Sequence, residues 1–336
     1  MPRNPTEQLR ISVRYPVGVT IRLAVNETRW QDHVYSVARS MPGMVPVVKG
    51  NGYGFRRWNL MPLAGQLASE VAVGTVYEVR DVPAGIVPIV LTPTLTAPPQ
   101  NMPRNTVLTV GNLDHLSALL RHGWRGEVMV KLQSSVMRFG STPADFVPLL
   151  EELRRNHFTI HGYAIHPPLD GDPTNHVRDI EKWMRIVPHD APVYVSHLDS
   201  VMYEHVRSRH PEREWRIRLG SALWHGDKSM MQLSSDVLDH QPVETGMRAG
   251  YRQIAIAGPG QIVVVGCGTA HGVRMLDDGR SPFHYQRQRL NVLEPPHMHV
   301  SMLLLARGRP SPPVGEWIDV QQPLTRVQVD LLQWTR

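Results

Sequence analysis

The sequence predicts an α/β protein: a (β/α)8 barrel of the TIM type followed by a C-terminal β domain. Eight short apolar segments recur between residues 44 and 219, and segments with helical periodicity separate most of them. After residue 224 this periodicity ends, and short strand-like segments divided by Gly, Pro and Asp follow. We therefore predict a barrel domain over residues 10–228 and a β domain over residues 229–336, to which a strand from residues 1–25 is added.

Each predicted element follows from its pattern. Two strand-like segments, Arg10–Tyr15 and Val19–Val25, precede an amphipathic segment over Thr28–Ser40 that is typical of a helix. The predicted barrel strands are Met44–Lys49, Val71–Val76, Ile86–Leu91, Thr106–Val110, Glu127–Leu132, Thr159–Ile165, Val193–Ser196 and Trp215–Leu219. Helices are predicted at Asn59–Ser69, Leu113–Arg121, Pro143–Asn156 and Val177–Val187. The strands predicted for the β domain are Arg252–Ala257, Gln261–Val265, His299–Leu305, Trp317–Val320 and Val327–Leu332.

Composition limits the class of protein. A chain of 336 residues with 41% hydrophobic side chains can bury the cores of two domains. Its single cysteine, Cys267, rules out an internal disulfide framework, and we expect it to be a small buried residue. The sequence shows neither a signal-peptide pattern at its start nor an apolar segment long enough to span a bilayer, so we expect a cytoplasmic protein.

The charge does not point to nucleic acid. The net charge of +6 and the pI of 9.7 would permit such contact. However, the arginines are scattered and form no basic run with interleaved aromatic residues. We expect neither a nucleic-acid nor a membrane partner, and we attribute the surplus to phosphate- and carboxylate-binding sites and a basic surface.

The segment Met44–Gly54 is the first candidate for chemistry, because its apolar run ends on Lys49 and a glycine-rich turn with Tyr53 follows at once. In a barrel, residues just past the strands face one pocket. A partly desolvated lysine there has a lowered pKa and can react with a carbonyl group, including that of pyridoxal phosphate. The same rule brings further side chains to the pocket, namely Lys131, Arg138, His166, Asp199, Ser200, Arg218 and Ser221.

Five segments together resemble the alanine racemase family of fold-type III pyridoxal phosphate enzymes. Val-Val-Lys-Gly-Asn-Gly-Tyr-Gly at 47–54 resembles the family's Lys-Ala-Asn-Ala-Tyr-Gly, and Arg-Leu-Gly-Ser-Ala-Leu-Trp at 218–224 resembles Arg-Pro-Gly-Ile-Ala-Leu-Tyr. Residues 131–140, 162–166 and 196–200 resemble three further motifs in the same order. The resemblance implies a barrel that binds pyridoxal phosphate covalently at Lys49, with other cofactor-binding residues at Tyr53, Arg138, His166, Ser200, Arg218, Gly220 and Ser221.

The resemblance also implies individual roles. Lys131 corresponds to the lysine that is carbamylated in the family and that orients Arg138. His166 would stack on the cofactor ring, and Arg218 would donate to the pyridine nitrogen. Because a guanidinium keeps its proton, the cofactor would be a poor electron sink, which favours simple proton exchange at Cα. Phosphate would be held by Ser200 and by the backbone amides of Gly220 and Ser221.

A racemase of this kind needs a second base on the opposite face of the substrate. Tyr251, in the segment Ala-Gly-Tyr-Arg at 249–252, stands where the resemblance implies a tyrosine that reaches in from a partner subunit, and this implies a homodimer. Met298 would offer its amide to the substrate carboxylate beside Arg138. The sequence thus predicts an isomerase, an amino acid racemase or epimerase acting by two-base Cα proton exchange on a substrate that it does not identify.

The C-terminal motifs depart from the family and leave more than one function open. Gly-Thr-Ala-His-Gly at 268–272 replaces Gly-Tyr-Ala-Asp-Gly, and the sequence ends before the family's closing helix, which implies a divergent and shortened C-terminal domain. His297 and His299 after two prolines resemble the metal site of D-serine dehydratase and D-threonine aldolase relatives, in which a metal assists elimination or aldol cleavage. A fold-type III decarboxylase is a further alternative, although Arg218 argues against it because those enzymes pair the pyridine nitrogen with a carboxylate. The sequence is also compatible with a non-catalytic protein that binds pyridoxal phosphate.

Overall fold

The computed structural model describes residues 20–336, so the predicted strand Arg10–Tyr15 lies outside the described residues. The chain forms two compact units. The barrel unit comprises Val25–Met231, Pro323–Arg326 and Trp334–Arg336, and the β unit comprises residues 20–24, Gln232–Gln322 and Val327–Gln333.

The barrel unit contains the predicted parallel barrel. After β1 (Ile21–Asn26) and α1 (Glu27–Ser40), its strands are β2 (Met44–Pro46), β3 (Glu70–Val73), β4 (Val87–Val90), β5 (Val107–Val110), β6 (Val128–Lys131), β7 (Ile160–Ala164), β8 (Val193–Ser196) and β9 (Trp215–Leu219). They pair in the order β2-β9-β8-β7-β6-β5-β4-β3, and a parallel bridge from Val47 to Ala72 links the two end strands. Most strand residues are buried, as expected where helices cover the outside of a barrel and side chains fill its interior. All eight predicted strand positions are confirmed.

Helices follow most of the strands. They are α2 (Arg57–Leu67), α3 (Leu113–Arg121), α4 (Pro143–Arg155), α5 (Pro173–Met184), α6 (Ser200–Arg209) and α7 (Ser221–His225). Five of the seven helices begin after a side chain that accepts a hydrogen bond from a first-turn amide, which explains where these helices start. A 3-10 helix, Val76–Asp81, follows β3, and no helix joins β4 to β5. Four prolines between residues 91 and 106 oppose helix formation in that connection.

The β unit is built on an antiparallel sheet. Its strands are β10 (Met231–Val243), β11 (Arg248–Ala249), β12 (Ile254–Ala255), β13 (Gly260–Val265), β14 (Phe283–Tyr285), β15 (Gln288–Arg289), β16 (Asn291–Val292), β17 (Ser301–Ala306), β18 (Trp317–Val320) and β19 (Leu331–Thr335). The main sheet has the order β15-β14-β18-β10-β13-β17-β16, and β1 pairs with both β10 and β19. The predicted C-terminal β domain is therefore confirmed as a class of structure.

Two strand predictions in this unit were wrong in extent. The predicted strand Arg252–Ala257 is reduced to β12, because Tyr251 and Arg252 lie in the turn that connects β11 to β12. The strand predicted at Val327–Leu332 lies later, as β19, since the apolar alternation at Val327 and Val329 reflects burial and not sheet pairing. Cys267 is buried, as predicted, just past the end of β13. Within residues 20–336, no helix combines the length and the apolar character that a membrane span requires.

Candidate active site

A cavity of about 680 Å³ opens at the carboxyl ends of the barrel strands. Its lining residues all belong to the barrel unit. The cavity brings together most of the residues selected from the sequence, namely Lys49, Tyr53, Lys131, Arg138, His166, Arg218, Gly220 and Ser221. The rule that strand ends converge at one pocket is thus confirmed for this chain.

Lys49 lies three residues past β2, at the start of the glycine-rich turn. Glu78, in the 3-10 helix after β3, accepts hydrogen bonds from the amides of Gly50 at 2.9 Å and Gly74 at 2.6 Å, and so ties this turn to the end of the neighbouring strand. Partial burial lowers the pKa of the Lys49 amine, Arg138 and Arg218 lower it further, and Glu78 opposes the change. At neutral pH a larger fraction of this amine is therefore unprotonated than in an ordinary lysine, and only the unprotonated form acts as a nucleophile or base.

Tyr53 is buried beside the first turn of α7. Its backbone has a φ of +58°, its carbonyl accepts a hydrogen bond from His225 Nε2 at 2.5 Å, and its hydroxyl points at Gly220. A Cβ atom placed on Gly220 would lie 2.2 Å from the Tyr53 hydroxyl oxygen, so only glycine fits at this position. Gly220 thereby lets the tyrosine hydroxyl and the start of the helix approach each other at one end of the cavity.

Two buried basic side chains in the cavity, Arg218 and Lys131, have no carboxylate partner among the described residues. Arg218 on β9 donates to the carbonyl oxygens of Ile165, at 2.8 Å, and Val195, at 3.5 Å. Burial lowers its pKa to about 10, which leaves the guanidinium charged at neutral pH. Lys131 at the end of β6 is 5% exposed, and its Nζ atom has no hydrogen-bond partner among the described residues. Burial first, then Arg218 and Arg138, hold the pKa of Lys131 well below its ordinary value.

His166 follows β7 and is a neutral imidazole. Its Nδ1 atom lies 2.5 Å from Ser196 Oγ, and its ring lies 4.3 Å from the ring of His197. Burial lowers the pKa of His166 to about 2, and Arg218, His197, Lys131 and Arg138 lower it further. His166 therefore stays uncharged throughout the physiological range and can present an aromatic face without adding positive charge.

Arg138 reaches the cavity from the loop after β6, and this loop is held at several points. Ser134 Oγ donates to the carbonyl of His166 at 2.6 Å, and Ser135 N donates to Asp179 at 2.9 Å. The Arg138 guanidinium lies over the ring of Phe139 at 4.7 Å. The loop thus presents a guanidinium whose planar donors suit a carboxylate or a phenolic oxygen.

Ser200 is placed differently from the other predicted cofactor residues. It is the exposed first residue of α6 and is not among the residues that line the cavity, whereas its neighbour Asp199 is. Asp199 caps the helix by accepting a hydrogen bond from Met202 N at 2.8 Å. The phosphate-binding role of Ser200 stays a prediction.

The remaining predicted residues belong to the β unit. Tyr251 and Met298 are strongly exposed, at 85% and 65%. His297 Nε2 lies 2.6 Å from Glu294 Oε1, and His299 packs edge-on against His271 with ring centroids 5.8 Å apart. In the part of the chain that the structure describes, no cluster of three or more His, Cys, Asp or Glu side chains has an arrangement that could hold a metal ion.

Several lining residues were missed from the sequence. Ser196 and His197 end β8, so the strand-end rule alone would have found them. Thr92 and Thr109, which also line the cavity, lack a motif that marks them. Thr325 comes from the short segment Pro323–Arg326 that returns to the barrel unit, and no local pattern predicts such a return.

The cavity combines a reactive amine, two guanidinium groups, a buried amine and a neutral imidazole. Asp199 is the one carboxylate among the described side chains that line it. Such a surplus of positive charge in a partly desolvated space favours an anionic ligand. The arrangement suits a phosphorylated carbonyl compound that reacts with Lys49, together with a carboxylate that pairs with Arg138.

Comparison with known proteins agrees with this geometry. Residues 25–226 match the family model described as alanine racemase, N-terminal domain. No curated protein matches the sequence.

Solved structures share the fold at low sequence identity. The biosynthetic alanine racemase from Pseudomonas aeruginosa is 17% identical with a TM-score of 0.72, and the match covers 95% of this chain and 100% of that one. The alanine racemase from Bartonella henselae with covalently bound pyridoxal phosphate is 14% identical with a TM-score of 0.70, covering 95% of this chain and 99% of that one. The alanine racemase from Acinetobacter baumannii is 14% identical, with a TM-score of 0.69 over 94% of this chain and 100% of that one. These likenesses establish the fold.

Proposed function

The chain belongs to the alanine racemase family, and from this premise we propose that it is a homodimeric, pyridoxal-phosphate-dependent amino acid racemase or epimerase. The observation that carries the proposal is the cavity in which Lys49, Arg138, His166 and Arg218 meet. Its substrate is a small-molecule amino acid. A single buried cysteine suits a reducing compartment, and we also propose that the enzyme works in the cytoplasm.

The charges of the cavity suit pyridoxal phosphate. Among the described residues, Arg218 donates to carbonyl oxygens alone and the buried Lys131 amine has no partner, so an anion with phosphate and phenolic oxygens would complement both. At the end of the cavity formed by Gly220 and Ser221, the absence of a side chain on Gly220 exposes backbone next to the Tyr53 hydroxyl, and this combination suits a phosphate group. When bound to Lys49, pyridoxal phosphate supplies the electron withdrawal that makes the Cα proton of an amino acid acidic.

Different residues of this chain have different roles in the proposed proton exchange. Lys49, with its lowered pKa, exchanges a proton with Cα on one face of the substrate, and Tyr251 of the partner subunit does so on the other. Arg218 donates a hydrogen bond and keeps its proton, so it does not act as an acid. Arg138 pairs with the substrate carboxylate, together with the backbone amide of Met298 of the partner subunit. The high exposure of Tyr251 supports its role, because its phenol is accessible to a second subunit.

We further propose that Lys131 is carbamylated in the active protein. The unprotonated form of its amine, which the lowered pKa makes more abundant, reacts with carbon dioxide and releases one proton, which converts the buried amine into a carbamate anion. The lowered pKa of the amine favours this reaction, as does the lack of a hydrogen-bond partner in the described part of the chain. The carbamate would lie among cations and would orient Arg138.

The visible absorption spectrum of the purified protein is the first test. We expect a yellow band that borohydride abolishes in the wild type, that is absent in Lys49→Ala and that persists in Lys228→Ala, whose lysine is exposed. Exchange of the Cα proton in deuterated water with a panel of L- and D-amino acids then tests racemisation. The absence of a band after addition of pyridoxal phosphate would refute the cofactor assignment, and a band without exchange for any amino acid would refute the racemase.

A further inference from the structure

The β unit contains a buried carboxylate, that of Glu294, which has no role in the reaction proposed above. Glu294 is 5% exposed and makes three contacts. Its Oε1 atom accepts from Tyr251 N at 2.8 Å and lies 2.6 Å from His297 Nε2, and its Oε2 atom accepts from Arg252 N at 3.0 Å. One carboxylate thus binds both the backbone of Tyr251 and the ring of His297.

The turn that carries Tyr251 is built around this carboxylate. Gly250 has a φ of +76°, and a Cβ atom there would lie 2.3 Å from Glu294 Oε1, so the close approach requires glycine. The amide of Gln253 closes the turn by donating to the Gly250 carbonyl at 3.1 Å. The path of the backbone at Tyr251 is therefore fixed by a side chain more than forty residues away.

The Tyr251 side chain packs on His297, the partner of Glu294. Its ring lies 4.4 Å from the ring of His297 at an interplanar angle of 34°, although 85% of the residue is exposed. Pro295 and Pro296 separate Glu294 from His297 and fix the backbone between them. An exposed tyrosine normally samples several rotamers, whereas this one packs on an imidazole that is itself anchored to a buried carboxylate.

We propose that Glu294 and His297 are positioning residues that hold Tyr251 in the conformation in which it acts as a base in the partner subunit. This inference rests on the proposed racemase function. A base that enters another subunit's cavity must adopt one rotamer, and the entropic penalty is smaller when that rotamer is already selected. Glu294 orients the backbone and the imidazole, and His297 supplies the surface on which the phenol lies.

Fluorine NMR tests the packing independently of activity. The full-length protein with bound cofactor is labelled with 3-fluorotyrosine, and Tyr251→Phe identifies the Tyr251 resonance. We expect His297→Ala to move this resonance towards the position of free 3-fluorotyrosine, Glu294→Gln to do so in part, and Glu244→Gln to leave it unchanged. Glu244 is a matched control because it is an exposed carboxylate of the same unit that pairs with Arg307. An unchanged Tyr251 resonance in His297→Ala would overturn the inference, even if Glu294→Gln fails to fold.

Isotope effects test the consequence for the reaction. With substrates deuterated at Cα, we expect His297→Ala to raise the primary isotope effect for the enantiomer whose proton Tyr251 removes and to lower it for the other. We expect kcat/KM to fall by about 10-fold to 100-fold in both directions, because a displaced base loses its alignment. Equal isotope effects in wild type and variant would contradict the inference. A wild type that exchanges no Cα proton refutes the proposed function instead, and the fluorine resonance still decides whether the pair holds Tyr251.

Discussion

Replacing Lys131 by methionine should make the apoprotein more stable, although it removes a residue of the proposed active site. The Lys131 amine is buried without a hydrogen-bond partner among the described residues, and a buried donor left unsatisfied costs about 1–3 kcal/mol. Methionine is unbranched, apolar and close to lysine in length, so it fills the same space without a polar atom. We expect the free energy of unfolding to rise by about 1–3 kcal/mol at pH 7 and the proposed racemase activity to fall.

The stability difference between Lys131→Met and the wild type should decrease as the pH rises. Because the folded protein lowers the pKa of Lys131 below 10.5, the unfolded chain binds more protons between these two pKa values. The stability of the wild type therefore rises with pH in this window, while Lys131→Met lacks this contribution. The advantage of the variant should therefore shrink as the pH rises towards 10.5.

Urea unfolding of the apoprotein in buffer free of carbon dioxide measures this difference at several pH values. Lys228→Met, at an exposed lysine, is the control and should change stability by less than about 0.5 kcal/mol. Adding bicarbonate should stabilise the wild type and leave Lys131→Met unchanged, because only the wild type can form the carbamate. A variant less stable than the wild type in the buffer free of carbon dioxide would refute the unpaired-amine argument, and a wild type indifferent to bicarbonate would refute carbamylation.

Two further substitutions probe the ends of the barrel. Gly220→Ala should lower the free energy of unfolding by about 1–3 kcal/mol and weaken the binding of pyridoxal phosphate in an absorbance titration, because its methyl group would lie 2.2 Å from the buried Tyr53 hydroxyl. Gly258→Ala, which has open space around it, is the control. Equal affinities of Gly220→Ala and the wild type for pyridoxal phosphate would contradict the close fit. His161, at the opposite end, is hydrogen-bonded to two glutamates at 2.6 and 2.9 Å, and these bonds outweigh burial and raise its pKa. This stabilisation is complete below the unfolded pKa near 6.5 and is lost as pH rises through the raised folded value, so His161→Gln should destabilise by about 1–3 kcal/mol at pH 6 and less at pH 9. His205→Gln, at an exposed histidine, is the control in thermal unfolding, and a pH-independent loss in His161→Gln would contradict the assignment.

The barrel could be predicted because each of its strands and helices is specified by residues that are close together in the sequence. Each strand is a short apolar run, and most are followed by a helix whose first turn is capped by a nearby side chain. The residues that carry chemistry stand next to strand ends, so Lys49, His166 and Arg218 could be assigned to one pocket before their contacts were known. In an α/β barrel, order along the chain is enough to predict which residues meet.

The rest of the structure depends on contacts between distant residues. β10 (Met231–Val243) was not predicted, since its sequence mixes polar and apolar residues without the alternation of a half-buried strand. Glu78 and Glu294 were missed because each binds a backbone amide far from it in the sequence, that of Gly50 or Tyr251, and from the sequence alone a single glutamate resembles any solvated one. The placement of Ser200 outside the cavity lining likewise depends on how α6 begins, which the motif alone does not determine.

Several residues with strained backbone, and the Lys131 amine that has no hydrogen-bond partner among the described residues, lie at the cavity end of the barrel unit. Non-glycine residues with positive φ include Tyr53, Met137 and His197, which stand in the loops after β2, β6 and β8. Such backbone is unfavourable by about 1–3 kcal/mol per residue, and the unpaired amine of Lys131 adds a further penalty. In a barrel with a purely structural role, these features would only lower the free energy of unfolding. An anionic ligand that pairs with the basic side chains of the cavity offsets this loss of stability. The same residues therefore favour a site that binds its cofactor over one that only retains the motifs, and the apoprotein should gain stability when pyridoxal phosphate binds.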